Sequence, residues 1–150
     1  MRDAVTIRPA AISDASAVCE LLAQLGYPAA PHEIPNRLTA LTTYPQAVVL
    51  VATNGYGEVV GLGTSHIFPS IHDNEPVAWL TSLVVLEDAR GAGIGSALVE
   101  YIEKWAARNG AKRLSLTSGL HRTAAHDFYQ RRNYENTGLR FTKKLDEAVP

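Results

Sequence analysis

Cysteine is almost missing from this chain of 150 residues. Cys19 stands alone, so no disulfide can close within the chain and no cysteine-rich metal site can form. A reducing cytoplasm is the expected compartment, and Cys19 itself reads as a small buried apolar side chain. An excess of charge of one sign is missing as well. Fourteen Lys and Arg against fifteen Asp and Glu leave a formal net charge of -1. No basic surplus is present to suit a nucleic-acid backbone or an anionic membrane, so neither is expected as a partner. Long apolar runs are also absent, since none reaches the roughly 18 to 20 residues that a membrane-spanning helix requires. The amino terminus, Met1 to Arg8, alternates apolar and polar residues and lacks the apolar run of a signal peptide, so a soluble, unprocessed chain is expected. No repeat, low-complexity tract or linker interrupts it. A length of 150 residues with 46% hydrophobic content points to a single domain over residues 1–150.

What is present reads as alternating strands and helices. Val5 to Arg8 predicts a strand, and Ser13 or Asp14 can cap a helix whose Val18, Leu21, Leu22 and Leu25 recur at helical spacing until Gly26. Pro28 and Pro31 break the chain before a weaker helical pattern through Ile34, Leu38 and Leu41, in which Pro35 is tolerable only in the first turn. Ala47 to Ala52 and Val59 to Phe68 flank the turn residues Asn54-Gly55-Tyr56-Gly57 and predict a hairpin. After a polar loop from Pro69 to Pro76, Val77 to Leu86 reads as an apolar strand, interior to its sheet if buried on both faces. Ile94, Ala97, Leu98, Tyr101, Ile102, Trp105 and Ala106 form one continuous helical stripe that Asn109-Gly110 can end. Arg113 to Thr117 alternates as a strand, and His121 to Arg132 carries Ala125, Phe128, Tyr129 and Arg132 on one helical face. Arg140 to Leu145 alternates again. Trp79, Tyr101 and Trp105 read as core or sheet-covering aromatics.

Between the apolar strand and the striped helix lies Ala89-Arg90-Gly91-Ala92-Gly93-Ile94-Gly95-Ser96. A plain turn would account for glycines that supply positive φ angles. The same glycines would also let a phosphate approach the unpaired N–H groups of a helix start, with Arg90 as a planar cation beside it. A P-loop is excluded, because no lysine follows Gly95 before Lys104. A dinucleotide fold needs an acid at the end of the next strand, where this chain has Thr117-Ser118-Gly119. His121 and His126 stand five apart without further ligands, so zinc is not expected, and no other metal site is signalled. Ser118, His126 and Asp127 lack the nucleophile elbow of a hydrolase.

The spacing Arg90-x-x-Gly93-x-Gly95, after "SLVV" and before a long amphipathic helix, resembles the acetyl-CoA signature of the GNAT superfamily of N-acetyltransferases. Ala125-His126-Asp127-Phe128-Tyr129 is similar to that family's second signature, and the resemblance covers roughly residues 4 to 145. It implies an α/β fold, a mixed and mostly antiparallel central sheet with flanking helices in the order β-α-α-β-β-β-α-β-α-β-β. It implies that acetyl-CoA, as co-substrate, pairs through its pantetheine arm with the backbone of Leu83, Val84 and Val85. The resemblance further implies a pyrophosphate seat formed by Arg90, Gly91, Ala92, Gly93, Ile94, Gly95 and Ser96, with Arg122, Ala125 and Phe128 also near the cofactor. Tyr129 falls where the family protonates the departing thiolate, a role suited to a phenol beside a leaving sulfur anion. Packing beside Phe128 is the alternative role for Tyr129.

Three positions depart from the family pattern. Arg122 stands where relatives carry an asparagine and could reach a CoA phosphate or be a solvated helix-start cation, and Asn133 stands for a glycine, with a left-handed conformation still accessible. Thr81, beside Ser82, replaces the glutamate that relatives use as general base or water-holder. Neither hydroxyl is a base at neutral pH. Asp73, Glu75, His66 and His72 are the nearest candidates in sequence, and nothing in the sequence selects among them. The implied reaction is direct transfer of an acetyl group to a primary amine of a small molecule, without a covalent enzyme intermediate. Peptide or protein amines, a longer acyl chain, and a catalytically weak acyl-CoA-binding regulatory module remain alternatives. The segments 26–36 and 66–76 would line the acceptor pocket, with Tyr27, His32, Glu33, His72, Asp73 and Glu75 suiting a cationic amine. The oligomeric state stays open, a homodimer included.

Overall fold

The structure, a computed structural model, describes residues 4–146, which fall into two compact units divided between Leu116 and Thr117. The first unit is a five-stranded sheet in the order β1-β2-β3-β4-β5, made of β1 (Thr6–Pro9), β2 (Ala47–Thr53), β3 (Val59–Phe68), β4 (Val77–Val85) and β5 (Leu114–Leu116). Every pairing is antiparallel except β4 with β5, which is parallel. The expected hairpin joins β2 to β3, and the Asn54 side chain accepts the N–H groups of Tyr56 and Glu58 across its turn.

Two helices cover one face of this sheet. In α1 (Ala15–Leu25), Val18 and Leu21 are buried, and Gly26 ends the helix at φ 104° while the Tyr27 N–H returns to the Leu22 carbonyl. Pro35 occupies the first turn of α2 (Ile34–Thr42), where no intrahelical hydrogen bond is lost. Val18, Leu21, Ile34 and Leu38 pack with Val49, Val51, Leu62 and Val84 in one core. The cap of α1 differs from expectation. Asp14 precedes the helix, yet its carboxylate does not bond into it. The two oxygens instead accept both terminal nitrogens of Arg8 and the Ala11 N–H, each at 2.8 Å. A bidentate guanidinium outcompetes a cap for a carboxylate that is itself buried.

The opposite face carries α3 (Ile94–Arg108), whose Leu98, Val99 and Ile102 are fully buried. Gly61 and Gly63 let it come close. A Cβ at Gly61 would stand 3.1 Å from Ile94 Cγ2 and Leu98 Cδ1, and one at Gly63 would stand 3.1 Å from Ile102 Cδ1. Asn109 and Gly110 end the helix as expected, Gly110 at φ 89°.

In the second unit, α4 (Thr123–Arg131) gives way to Asn133 at φ 69°, the left-handed turn that asparagine tolerates. The expected strand over Arg140 to Leu145 is not formed, so neither member of the terminal strand pair exists among the described residues. Leu139, Phe141 and Leu145 are all exposed. Alternation says which side chains would share a face, but a strand also needs a partner's N–H and C=O groups, and these residues find none among the described residues.

Candidate active site

β4 lies inside the sheet for only half its length. Ala78, Trp79 and Leu80 pair with Leu114, Ser115 and Leu116 of β5, and there the pairing stops. From Thr81 to Val85 the strand bonds only to β3. Its other edge is therefore a row of backbone donors and acceptors open to an extended ligand. Leu83 and Val85 are half-buried, and Val84 points into the α1 and α2 core, so this half is not buried on both faces as its apolar sequence suggests. The residues that the resemblance marks for the pantetheine arm coincide with this open edge.

The glycine segment sits at the end of that edge. Glu87 to Ala89 form a short helical turn, and Arg90 continues in extended conformation with its Nε 3.1 Å from the Val85 carbonyl. The remainder of the Arg90 guanidinium is exposed. Gly91 and Gly93 have φ values of 86° and 79°, a conformation in which other residues are strained, and Gly93 is the N-cap of α3. The first helix-closing bond runs from the Ala97 N–H to the Gly93 carbonyl at 3.0 Å. The N–H groups of Ile94, Gly95 and Ser96 precede it and carry the positive end of the helix dipole. Gly93 offers no capping side chain to occupy them, and a Cβ on Gly91 or Gly93 would meet nothing within 4 Å. Ile94 alone is buried here, anchoring the loop to the core. Backbone donors, an exposed guanidinium and open space together fit an anionic phosphate.

In the second unit, Arg122 is the N-cap of α4, and Ala125, Phe128 and Tyr129 share its half-buried face. Tyr129 meets Phe128 edge-on at 5.3 Å between ring centroids and Tyr134 at 5.8 Å. Burial raises the phenol above its ordinary value, and the Arg122 charge opposes that rise. The hydroxyl therefore stays protonated through neutral pH. His126 is committed to the Gly119 carbonyl at 2.9 Å, which accounts for it without metal or triad. Among the described residues no group of three His, Cys, Asp or Glu could hold a metal ion.

Thr81 takes a position that the sequence does not reveal. Ser65 pairs with Leu80 and Thr64 with Ser82, leaving Thr81 as the extra residue of a β-bulge. Its hydroxyl lies 2.7 Å from Thr64 Oγ1 and 3.5 Å from His66 Nδ1, and the His66 ring stands 6.1 Å from that of Tyr44. Thr64 and His66 share the sheet face of Leu62, the face of α1 and α2. Asp73 and Glu75 lie elsewhere, lining an open cavity of about 530 Å³ with Ile67, Trp105 and Asn109 on the α3 side. Asp73 is ion-paired with Arg113 at 2.8 Å. Glu33 accepts the Ala30 N–H and pairs with Arg37 at 3.4 Å. The acids expected around the acceptor thus do not gather at Thr81. Cys19 is half-buried rather than buried, with its sulfur 3.5 Å from the Ala29 carbonyl.

Known proteins resemble the chain in sequence and in fold. The chain is 38% identical over 89 residues to an aminoalkylphosphonate N-acetyltransferase of Salmonella typhimurium, the match covering 59% of this chain and 58% of that protein. The matched part is thus less than two thirds of that relative's length. An aminoglycoside N(6')-acetyltransferase type 1 of Stenotrophomonas maltophilia is 28% identical over 137 residues, 89% of this chain and 88% of its own. The solved structure of aminoglycoside N-acetyltransferase AAC(6')-Iy in complex with CoA shares the fold with a TM-score of 0.84 at 18% identity, covering 96% of this chain and 97% of that one. The family model described as acetyltransferase (GNAT) family matches residues 15–134, far more than half of the sequence, and the chain belongs to that family.

Proposed function

We propose that this protein transfers the acetyl group of acetyl-CoA to a primary amine of a small molecule by direct attack of the amine nitrogen on the thioester. The observation that carries this reading is the open half of β4, which leads through a short helical turn to the glycine-capped start of α3. Leu83, Val84 and Val85 would hold the pantetheine arm through main-chain hydrogen bonds. Arg90 and the N–H groups of residues 91 to 96 would hold the pyrophosphate, with Gly91, Ala92 and Gly93 keeping side-chain bulk away from it. By the family resemblance, Arg122, Ala125 and Phe128 would also take part in cofactor binding.

Attack on the thioester expels a sulfur anion, and Tyr129 donates its phenolic proton to that sulfur. A phenol still holds its proton at neutral pH, as this role requires. The family match runs from residue 15 to residue 134, across the division at residue 116, which supports a single acetyltransferase domain made of both compact units. The relatives' names, which specify an aminoalkylphosphonate and an aminoglycoside, favour small-molecule amines over peptide amines as acceptors. No helix among the described residues is long and apolar enough to cross a membrane.

A second reading is a module that binds acyl-CoA without turning it over, and Thr81 at the glutamate position favours it. Release of CoA thiol from acetyl-CoA, measured with aminoalkylphosphonates, aminoglycosides and a lysine peptide, separates the readings. Turnover with the small amines supports the enzyme. Saturable acetyl-CoA binding without turnover on any amine supports the module.

A further inference from the structure

Deprotonation of the acceptor is the step for which this chain lacks the usual glutamate. An alkylamine near neutral pH is an ammonium ion with no free lone pair, so it must lose a proton before it can attack a carbonyl carbon. The threonine on the bulge cannot take that proton. Asp73 and Glu75 are on the other side of the sheet, and Glu33 is engaged by Ala30 and Arg37.

We propose that His66 is the general base of the reaction, held in its working tautomer by the Thr64–Thr81 hydroxyl pair. The inference rests on the acetyltransferase reading above. Thr64 is buried and its hydroxyl forms a 2.7 Å bond with Thr81, while Thr81 is exposed beside the unpaired half of β4. The assignment requires that Thr81 donate to Thr64, which leaves its oxygen lone pairs facing His66 Nδ1 at 3.5 Å. The Nδ1–H then donates to Thr81, and the lone pair of the ring is left on Nε2. The bulge therefore replaces a carboxylate on β4 with an imidazole reached from β3. The ring meets the Thr81 hydroxyl and the Tyr44 ring, and its register partners Ala47 and Trp79 carry no charge.

The proton count closes. The ammonium gives one proton to Nε2, and the freed nitrogen forms the N–C bond with the thioester carbon. The adduct nitrogen then loses a second proton to solvent as the C–S bond breaks, the sulfur leaves with the bonding electron pair and takes the Tyr129 proton, and Tyr129 regains a proton from solvent. His66 returns its proton to solvent. The products are the N-acetyl amine, CoA thiol and one proton.

The test is the pH dependence of kcat/KM for an aminoalkylphosphonate, measured by thiol release with the wild-type chain, His66→Gln and Thr81→Val. Acetyl-CoA affinity serves as the check on folding. At pH 7, H66Q should lose about 100-fold or more in kcat/KM. That gap should shrink to within about fivefold near pH 10, where the amine supplies its own free base. T81V should show the same pH-dependent gap at smaller amplitude. An H66Q defect of constant size at every pH, or no defect at pH 7, overturns the assignment while leaving the enzyme reading intact. A wild-type chain that binds acetyl-CoA but acetylates no amine at any pH overturns both.

Discussion

Tyr129, His66 and Asp14 show how much one side chain's role depends on what surrounds it. Tyr129 is visible in the sequence, because Ala125-x-x-Phe128-Tyr129 is a local pattern on one helix face. Its raised phenol then follows from burial, against the Arg122 charge. Replacing it with phenylalanine should lower kcat by at least about tenfold and leave acetyl-CoA affinity within about threefold, measured by thiol release and by titration calorimetry. Unchanged turnover would return it to packing against Phe128 and Tyr134. His66 is not legible in this way. Its contact with Thr81 depends on a one-residue shift between β3 and β4, and nothing in the alternation of either strand announces that shift. Asp14 was legible as a helix-start residue but not in its partner. The Arg8 guanidinium, chiefly through its hydrogen bonds, and the Ala11 N–H hold its carboxyl below the usual carboxylate value, against the opposing effect of burial. A depressed folded value makes the pair's contribution complete above about pH 4, the unfolded value, and lost as the pH falls through the folded one. Asp14→Asn should cost about 1 to 3 kcal/mol in urea unfolding at pH 7 and remove that part of the acid sensitivity. Equal stability of the two forms at pH 7 would show the pair to be surface-like.

Among the elements, α3 and its loop carry both architecture and the proposed phosphate seat. The apolar stripe from Ile94 to Ala106 made α3 plain from sequence, because one face meets the sheet and the other meets water. The half-strand character of β4 was not plain, since an apolar run records burial and not which edge is paired. The segment from Arg140 to Leu145 misled for the converse reason: it alternates, but no neighbouring edge holds it. Two glycines tie α3 to function. Gly93→Ala places a side chain into open space at φ 79°, so its cost is conformational, about 1 to 2 kcal/mol, and not steric. We expect that loss in denaturant melts, together with weaker acetyl-CoA binding. Gly61→Val instead forces branched carbon against Ile94, Leu98 and Ala52, where even a Cβ would stand at 3.1 to 3.2 Å. It should destabilise by about 1 to 3 kcal/mol through overpacking. A neutral Gly61→Val would mean that α3 can lift from β3 freely, contrary to the close contact seen.

For the molecule as a whole, composition set the broad limits and the local signatures set the family. A near-neutral chain with one cysteine left no argument for nucleic acid, membrane or disulfide scaffolds. The match from residue 15 to residue 134 then gave the GNAT family, and CoA is bound in a solved structure that shares the fold. The acceptor was least legible. The loops expected to line its pocket hold acids that are engaged in local ion pairs or turned to the α3 side of the sheet. The central claim is that the open edge of β4 and the glycine-lined start of α3 hold acetyl-CoA for transfer to a small amine. The most direct test is the rate of CoA thiol release when acetyl-CoA and an aminoalkylphosphonate are mixed with the full-length chain. The account predicts saturable turnover that depends on both substrates, with one N-acetylated product formed per thiol. Acetyl-CoA binding with no thiol release above background on any small amine would contradict it.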